Sequence, residues 1–136
     1  MPYAKRELTD AEREAFITEN RFGVLAFGGD KPYAIPVAYK YIKGAMVFAM
    51  LRAGRKMEYI KKNRNACFNI WQMGEQTTVP SLKDLRYISV LFEGELEEIT
   101  GSDWSYYELP EPPEGVDLVA FKLKTNNIGV SATSQT

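Results

Sequence analysis

The stretch Pro32-Tyr33-Ala34-Ile35-Pro36-Val37-Ala38-Tyr39-Lys40-Tyr41 decides the fold. Large side chains at Tyr33, Ile35, Val37, Tyr39 and Tyr41 alternate with Ala34, Pro36, Ala38 and Lys40. A period of two belongs to a β-strand. Proline cannot donate to a ladder, so Pro36 puts this strand at an edge or a bulge. The large face suits a barrel core. The small face leaves room for a flat ligand or a close second subunit, and packing against a helix is the plainer alternative.

Toward the N-terminus, the apolar run Phe22 to Phe27 closes on Gly28-Gly29-Asp30 and reads as a strand and turn. Before it, Thr9-Asp10-Ala11-Glu12 is a capping box, Thr9 as N-cap and Glu12 at N3. It predicts a helix to about Asn20 with Ala11, Ala15 and Phe16 inward. Toward the C-terminus, Lys43-Gly44 turns the chain into a strand over Ala45 to Met50. A helix follows over Gly54 to Asn63, then a strand over Asn65 to Met73 and a polar loop to Lys83. Asp84 to Ile99 alternates at length, with Ile88, Val90 and Phe92 on one face and Tyr87, Ser89 and Leu91 on the other. Gly94 inside it predicts a bulge. Ser102 to Leu109 reads as a short helix, and Asp117 to Lys124 as a strand that Ile128 to Val130 could extend. The tail from Ser131 has little to hold it. About six strands on short antiparallel connections, with peripheral helices, predict an antiparallel barrel, with an open sandwich as the alternative.

With 136 residues, no internal repeat and no long linker, a single domain over 1–136 is expected. Composition excludes several classes of chemistry. There is no histidine and only one cysteine, Cys67, so His-dependent triads, His-containing or Cys-rich zinc sites and proximal-His haem ligation are ruled out. A lone cysteine leaves no internal disulfide and fits a reducing, cytoplasmic setting. Seventeen basic against eighteen acidic residues give a net charge of −1, so no global field favours nucleic acid or a membrane. Met1 to Asp10 lacks the apolar core of a signal peptide, and no run approaches the roughly 20 apolar residues of a spanning helix.

Leu51-Arg52-Ala53-Gly54-Arg55-Lys56-Met57 is the most informative segment chemically. Arg55 and Lys56 fall in the first turn of the predicted helix, where each cation costs about 0.3–1 kcal/mol against the macrodipole. An anion held among the helix N–H groups reverses that sign, and Gly54 lets the backbone approach it closely. A solvated basic helix start accounts for the segment equally well. Tyr87 and Ser89 share a strand face and could bond a polar ring edge, although such residues are routine on exposed strands. Glu93, Glu95, Glu97 and Glu98 read as a solvated face, Cys67 as a small buried apolar residue, and Trp71 and Trp104 as core or interface anchors.

Taken together, these blocks resemble the FMN-binding split barrels related to pyridoxamine 5′-phosphate oxidase, in the branch of nitroimidazole-resistance proteins. The resemblance runs through Phe22-Gly23-Val24-Leu25-Ala26, the Pro32 to Tyr39 strand, Met46-Val47-Phe48 and Gly54-Arg55-Lys56. It resumes at Asn65-Ala66-Cys67-Phe68 and at Tyr87 to Glu95, and covers most of residues 7 to 100. It implies a homodimeric, mainly β split barrel with FMN at the subunit interface. Arg55 and Lys56 would face the phosphate. Ala34, Ile35, Pro36 and Val37 would flank the ring, with Tyr87 and Ser89 across the barrel. It also implies an oxidoreductase with a small-molecule electron donor and acceptor, nitroaromatics among the acceptors. A non-catalytic FMN carrier and a deazaflavin binder are the alternatives. The chain departs from the pattern after Phe48, where many relatives have His-Ser and it has Ala49-Met50. Met50 has no hydroxyl to offer a phosphate, so either Arg52 substitutes, or the flavin is weakly held, or the pocket takes another ligand. No catalytic side chain is assigned.

Overall fold

The computed structural model describes residues 3–135. Its order is β1 (Tyr3–Lys5), α1 (Asp10–Glu19), β2 (Phe22–Phe27), β3 (Tyr33–Ala38), β4 (Lys40–Ile42), β5 (Ala45–Leu51) and α2 (Arg55–Lys62). Then come β6 (Asn65–Met73), β7 (Leu85–Glu98), α3 (Asp103–Tyr106) and β8 (Leu118–Gln135). Two 3-10 turns, Gly74–Gln76 and Pro80–Leu82, occupy the expected polar loop. The strands form one antiparallel sheet in the order β3-β2-β6-β7-β8-β5-β4, with β1 added to β8.

The predicted strand around Pro36 is two strands, and the break is what closes the sheet. β3 and β4 stand at opposite ends of the strand order, yet Tyr39 alone separates them in sequence. Its N–H donates to Arg21 O at 2.9 Å, and its hydroxyl donates to Ile17 O at 2.7 Å, which fixes the crossing under α1. The Tyr39 ring meets Phe68 edge-on, and Phe68 meets Phe48 in the same way. These rings join Leu25, Ile70, Ile88, Val90, Leu96 and Phe121 in the core of a split barrel. Pro36 lies on the terminal strand, where its missing N–H costs no ladder bond.

The capping box forms as read: Thr9 Oγ1 accepts from Glu12 N–H at 3.1 Å, and Glu12 accepts from Thr9 N–H at 2.9 Å. The inward face differs from expectation. Phe16 and Ile17 are buried, whereas Ala11 and Ala15 are exposed. The inner stripe runs through Glu12 and Phe16 at helical spacing, because Arg6 and Ser81 both bond Glu12 there. Gly94 marks the bulge, with a register shift against β8 between Glu93 and Gly94. A Cβ at Gly94 would lie 2.1 Å from Lys124 O, so only glycine lets the two backbones approach.

Two C-terminal expectations are corrected. α3 covers only Asp103–Tyr106, since Glu108 turns to φ 54° and Leu109 N–H bonds back to Trp104 O at 3.1 Å, a closure of Schellman type. The residues from Ser131 are held on both sides. Ser131 to Ser134 pair with β7, and Thr133 to Gln135 pair with β1, a strand the sequence pattern does not reveal. Among the described residues, no helix is long and apolar enough to cross a membrane, and no cluster of metal-ligating side chains occurs.

Candidate functional site

The basic segment lies where β5 ends and α2 begins. Gly54 is the N-cap of α2, at φ 91°, and offers no side chain to the first-turn N–H groups. Met57 N–H donates to Gly54 O at 3.2 Å, which leaves the Arg55 and Lys56 N–H groups to an incoming acceptor. Lys56 directs its ammonium to Ala53 O at 2.8 Å. Arg55 lays its guanidinium 4.5 Å above the Tyr33 ring and 5.6 Å from that of Tyr59, with Nη2 3.5 Å from the Tyr59 hydroxyl. Among the described residues neither cation has a carboxylate partner. The macrodipole cost at Arg55 is thus offset by a cation–π contact of about 0.5–1 kcal/mol, which sequence reading did not anticipate.

Arg52 differs. It reaches Glu98 and Asp117, each at 3.4 Å, while its backbone N–H bonds Asp117 O at 2.9 Å. Its charge is already answered, so the geometry separates it from Arg55 and Lys56. Ala49 is exposed and Met50 half-buried at the end of β5, on the approach to the same corner.

β3 presents its small side chains outward: Ala34, Pro36 and Ala38 are exposed, while Ile35 and Val37 turn in and pack on the core. A flat group on this strand would touch Ala34 and Pro36, and would meet Ile35 and Val37 only through their backbone. Tyr87 and Ser89 lie elsewhere. The Tyr87 hydroxyl sits 2.9 Å from Ser131 Oγ, and Ser89 Oγ accepts from Asn69 Nδ2 at 2.7 Å. By register Ser89 is level with Trp71, whereas Pro36 is level with Val24, Asn69 and Leu91. Two residues of strand and three strand spacings separate Ser89 from Pro36, roughly 7 Å along and 14 Å across the sheet. Within one protomer they do not form one site.

The face that carries Ser89 also carries an apolar surface. Phe22, Trp71 and Met73 are 69%, 57% and 39% exposed, with Val24 beside them at 37%. Val24 pairs with Asn69, and Phe22 and Trp71 each lie two residues beyond that pair, on the same face. Trp71 is therefore not a core anchor. Cys67 belongs to this outer face too. It is half-buried rather than in the core, because β6 sends Phe68 and Ile70 inward and Cys67 and Asn69 outward. Burial, and Glu93 directly opposite on β7, hold its thiol above the ordinary value.

Comparison with solved structures shows where this fold recurs. The chain is similar to a putative 5-nitroimidazole antibiotic resistance protein from Bacteroides thetaiotaomicron, with a TM-score of 0.76, 12% identity, and coverage of 99% of this chain and 91% of that one. It is also similar to an FAD-binding protein from Mesorhizobium loti, with a TM-score of 0.70, 21% identity, and coverage of 98% and 99%. An FAD-binding protein from Mycobacterium smegmatis gives a TM-score of 0.70 at 13% identity, covering 95% and 98%. At these identities the likeness establishes a shared fold. Comparison with curated protein sequences finds no match. A family model described as pyridoxamine 5′-phosphate oxidase matches residues 9–108, from the cap of α1 through the end of α3, and the chain belongs to that family.

Proposed function

We propose that this protein binds FMN, with the phosphate at the start of α2 and the ring along β3, and that it works as a flavin-dependent oxidoreductase. The observation that carries this reading is the pair of cations, Arg55 and Lys56, unpaired with any described carboxylate at a helix start whose N-cap has no side chain. Backbone N–H groups, the macrodipole and two cations together make an anion site. The similar proteins from M. loti and M. smegmatis are described as FAD-binding, which accords with a flavin nucleotide here.

When bound, the flavin supplies the redox chemistry, and the chain supplies position and charge. Lys56 exchanges its bond to Ala53 O for a phosphate oxygen. Arg55, braced on Tyr33, places its guanidinium between the helix start and the strand along which the ring lies. Ala34 and Pro36 leave that strand free of bulk. The electron donor and acceptor would be small molecules.

A homodimer belongs to the same reading. The exposed Phe22, Trp71 and Met73 favour a second copy over water, and a partner brings Tyr87 and Ser89 of its own outer face toward a ring they cannot reach within one chain. Visible absorbance of the purified protein, with mass spectrometry of the released ligand, tests the cofactor. Anaerobic reduction by NADH or NADPH followed by a panel of acceptors separates an enzyme from an FMN carrier. Absence of flavin after expression, together with no FMN binding by titration, overturns the reading.

A further inference from the structure

Between the β2–β3 turn and the second half of α2 lies a cavity of about 290 Å³ that the flavin reading leaves unused. Asp30 and Lys31 line one side, and Glu58, Tyr59, Lys62 and Asn63 the other. Its volume sits at the lower bound of small-molecule pockets, about 300–1,000 Å³, so it suits a fragment the size of a nucleoside and not a whole flavin.

Its chemistry is mixed in a particular way. Tyr59 forms an aromatic wall: its ring packs 5.0 Å from Tyr33 and 6.1 Å from Phe27, and its hydroxyl donates to Lys31 O at 2.9 Å. The ring is thus held rigid, at no further ordering cost to a ligand. Two carboxylates, Asp30 and Glu58, and two ammonium groups, Lys31 and Lys62, surround it. None of the four has an ion-pair partner among the described residues. Asn63 accepts from Asn65 N–H through Oδ1 at 3.0 Å, which turns its Nδ2 amide donor toward the Gly28 side of the cavity. An inorganic anion would have no use for the carboxylates, and a plain sugar none for the ammonium groups. A planar base, a diol and a phosphate together answer all of them.

The cavity lies on the same face of α2 as Arg55 of the phosphate corner. Arg55, Tyr59 and Lys62 stand at i, i+4 and i+7 on one face of α2, a span of about 10 Å at 1.5 Å per residue. We propose that this cavity binds the adenosine half of a nucleotide, the base against Tyr59, the ribose diol on Asp30 or Glu58, and its phosphates led by Lys62 toward Arg55. The inference rests on the reading of the α2 start as a phosphate anchor. Adenosine diphosphate chemistry has two sources here, FAD itself or a separate nucleotide such as a reduced nicotinamide donor.

The test uses calorimetric titration of riboflavin, FMN, FAD and AMP into the wild-type protein and into the Asp30→Asn and Lys62→Gln variants. FMN, which lacks the adenosine half, is the control ligand. If FAD supplies the adenosine, it binds about tenfold more tightly than FMN, and either substitution removes that advantage. If a separate nucleotide supplies it, FAD and FMN bind alike, AMP binds the FMN-loaded protein, and either substitution weakens AMP by about tenfold. The proposal is overturned if FAD and FMN bind alike and AMP either fails to bind or is indifferent to both substitutions. FMN binding no tighter than riboflavin marks failure of the phosphate anchor instead, and AMP titrated into the flavin-free protein still decides the cavity.

Discussion

The guanidinium of Arg55, the first residue of α2, lies 4.5 Å above the ring of Tyr33, the first residue of β3. The contact joins the proposed phosphate corner to the strand proposed to carry the ring, so Arg55 is at once a local brace and an anion ligand. Lys56 has no such second task, since among the described residues its ammonium bonds only an exposed carbonyl, Ala53 O, that water can satisfy.

That asymmetry separates two substitutions. Charge-assisted hydrogen bonds contribute on the order of 1.5–3 kcal/mol, so Lys56→Gln and Arg55→Gln each weaken FMN binding roughly ten- to a hundredfold. Riboflavin, without a phosphate, responds little to Lys56→Gln. The flavin-free proteins diverge: Lys56→Gln sheds a macrodipole cost and gains about 0.3–1 kcal/mol, while Arg55→Gln sheds the same cost together with its aromatic contact and changes little. Titration of both ligands alongside thermal unfolding checks each of these expectations. Equal loss of FMN and riboflavin in Lys56→Gln would place that residue at the ring or in the fold.

Trp71 offers a test of assembly. It is 57% exposed on a face shared with Phe22 and Met73, and a second copy seated there is expected to bury more than about 1,000 Å². Trp71→Glu places a charge in that surface without touching the core. Sedimentation at micromolar concentration is expected to show a dimer for the wild type and a monomer for the variant, with circular dichroism unchanged. If the ring is shared between subunits, FMN affinity falls with the dimer. A wild-type monomer that still binds flavin refutes the shared site.

Local signals made much of this legible in the sequence. The capping box, the period of two around Pro36, the helix after Gly54 and the bulge at Gly94 each depend on a few adjacent residues, and each appears in the structure. What escaped depends on partners distant in sequence. The period of two runs unbroken through Tyr39, because nothing local shows that its hydroxyl is held by Ile17 across the fold. β1 is a strand because it pairs with the end of β8 across the whole length of the chain, and the end of β8 is held by β7 as well. At the site, Arg55 and Lys56 were visible as cations at a helix start, but the Tyr33 ring under Arg55 was not. A contact between residues 33 and 55 leaves no trace in spacing.

Cys67 is expected to be chemically quiet. Burial and the facing Glu93 favour the thiol over the thiolate, which is the form that reacts. Cys67→Ala should retain flavin binding and any redox activity near the wild-type level, at a modest cost in stability. In the wild type, alkylation by iodoacetamide at neutral pH should be slower than for a free thiol in a short peptide. Activity lost with the fold intact would assign Cys67 a role in the chemistry.

Glu12 carries the clearest pH dependence. Hydrogen bonds from Arg6 first, then from the Ser81 hydroxyl and the Thr9 backbone N–H, hold its carboxyl at about 2 against an ordinary value of 4.5. The two Arg6 bonds are 2.6 and 2.8 Å, so the pair is bidentate and also ties the segment after β1 to α1. A carboxyl depressed in the folded state stabilises fully above its unfolded value, and that contribution is lost as pH falls from about 4.5 toward 2. Glu12→Gln keeps the shape and removes the charge, and at neutral pH it should cost on the order of 1 kcal/mol. Denaturant unfolding from pH 7 down to pH 2 is then expected to show the wild type losing its advantage over Glu12→Gln between pH 5 and about 2, where the two curves meet. A constant gap across that range would mean that the loss in the variant comes from the cap geometry and not from the charge.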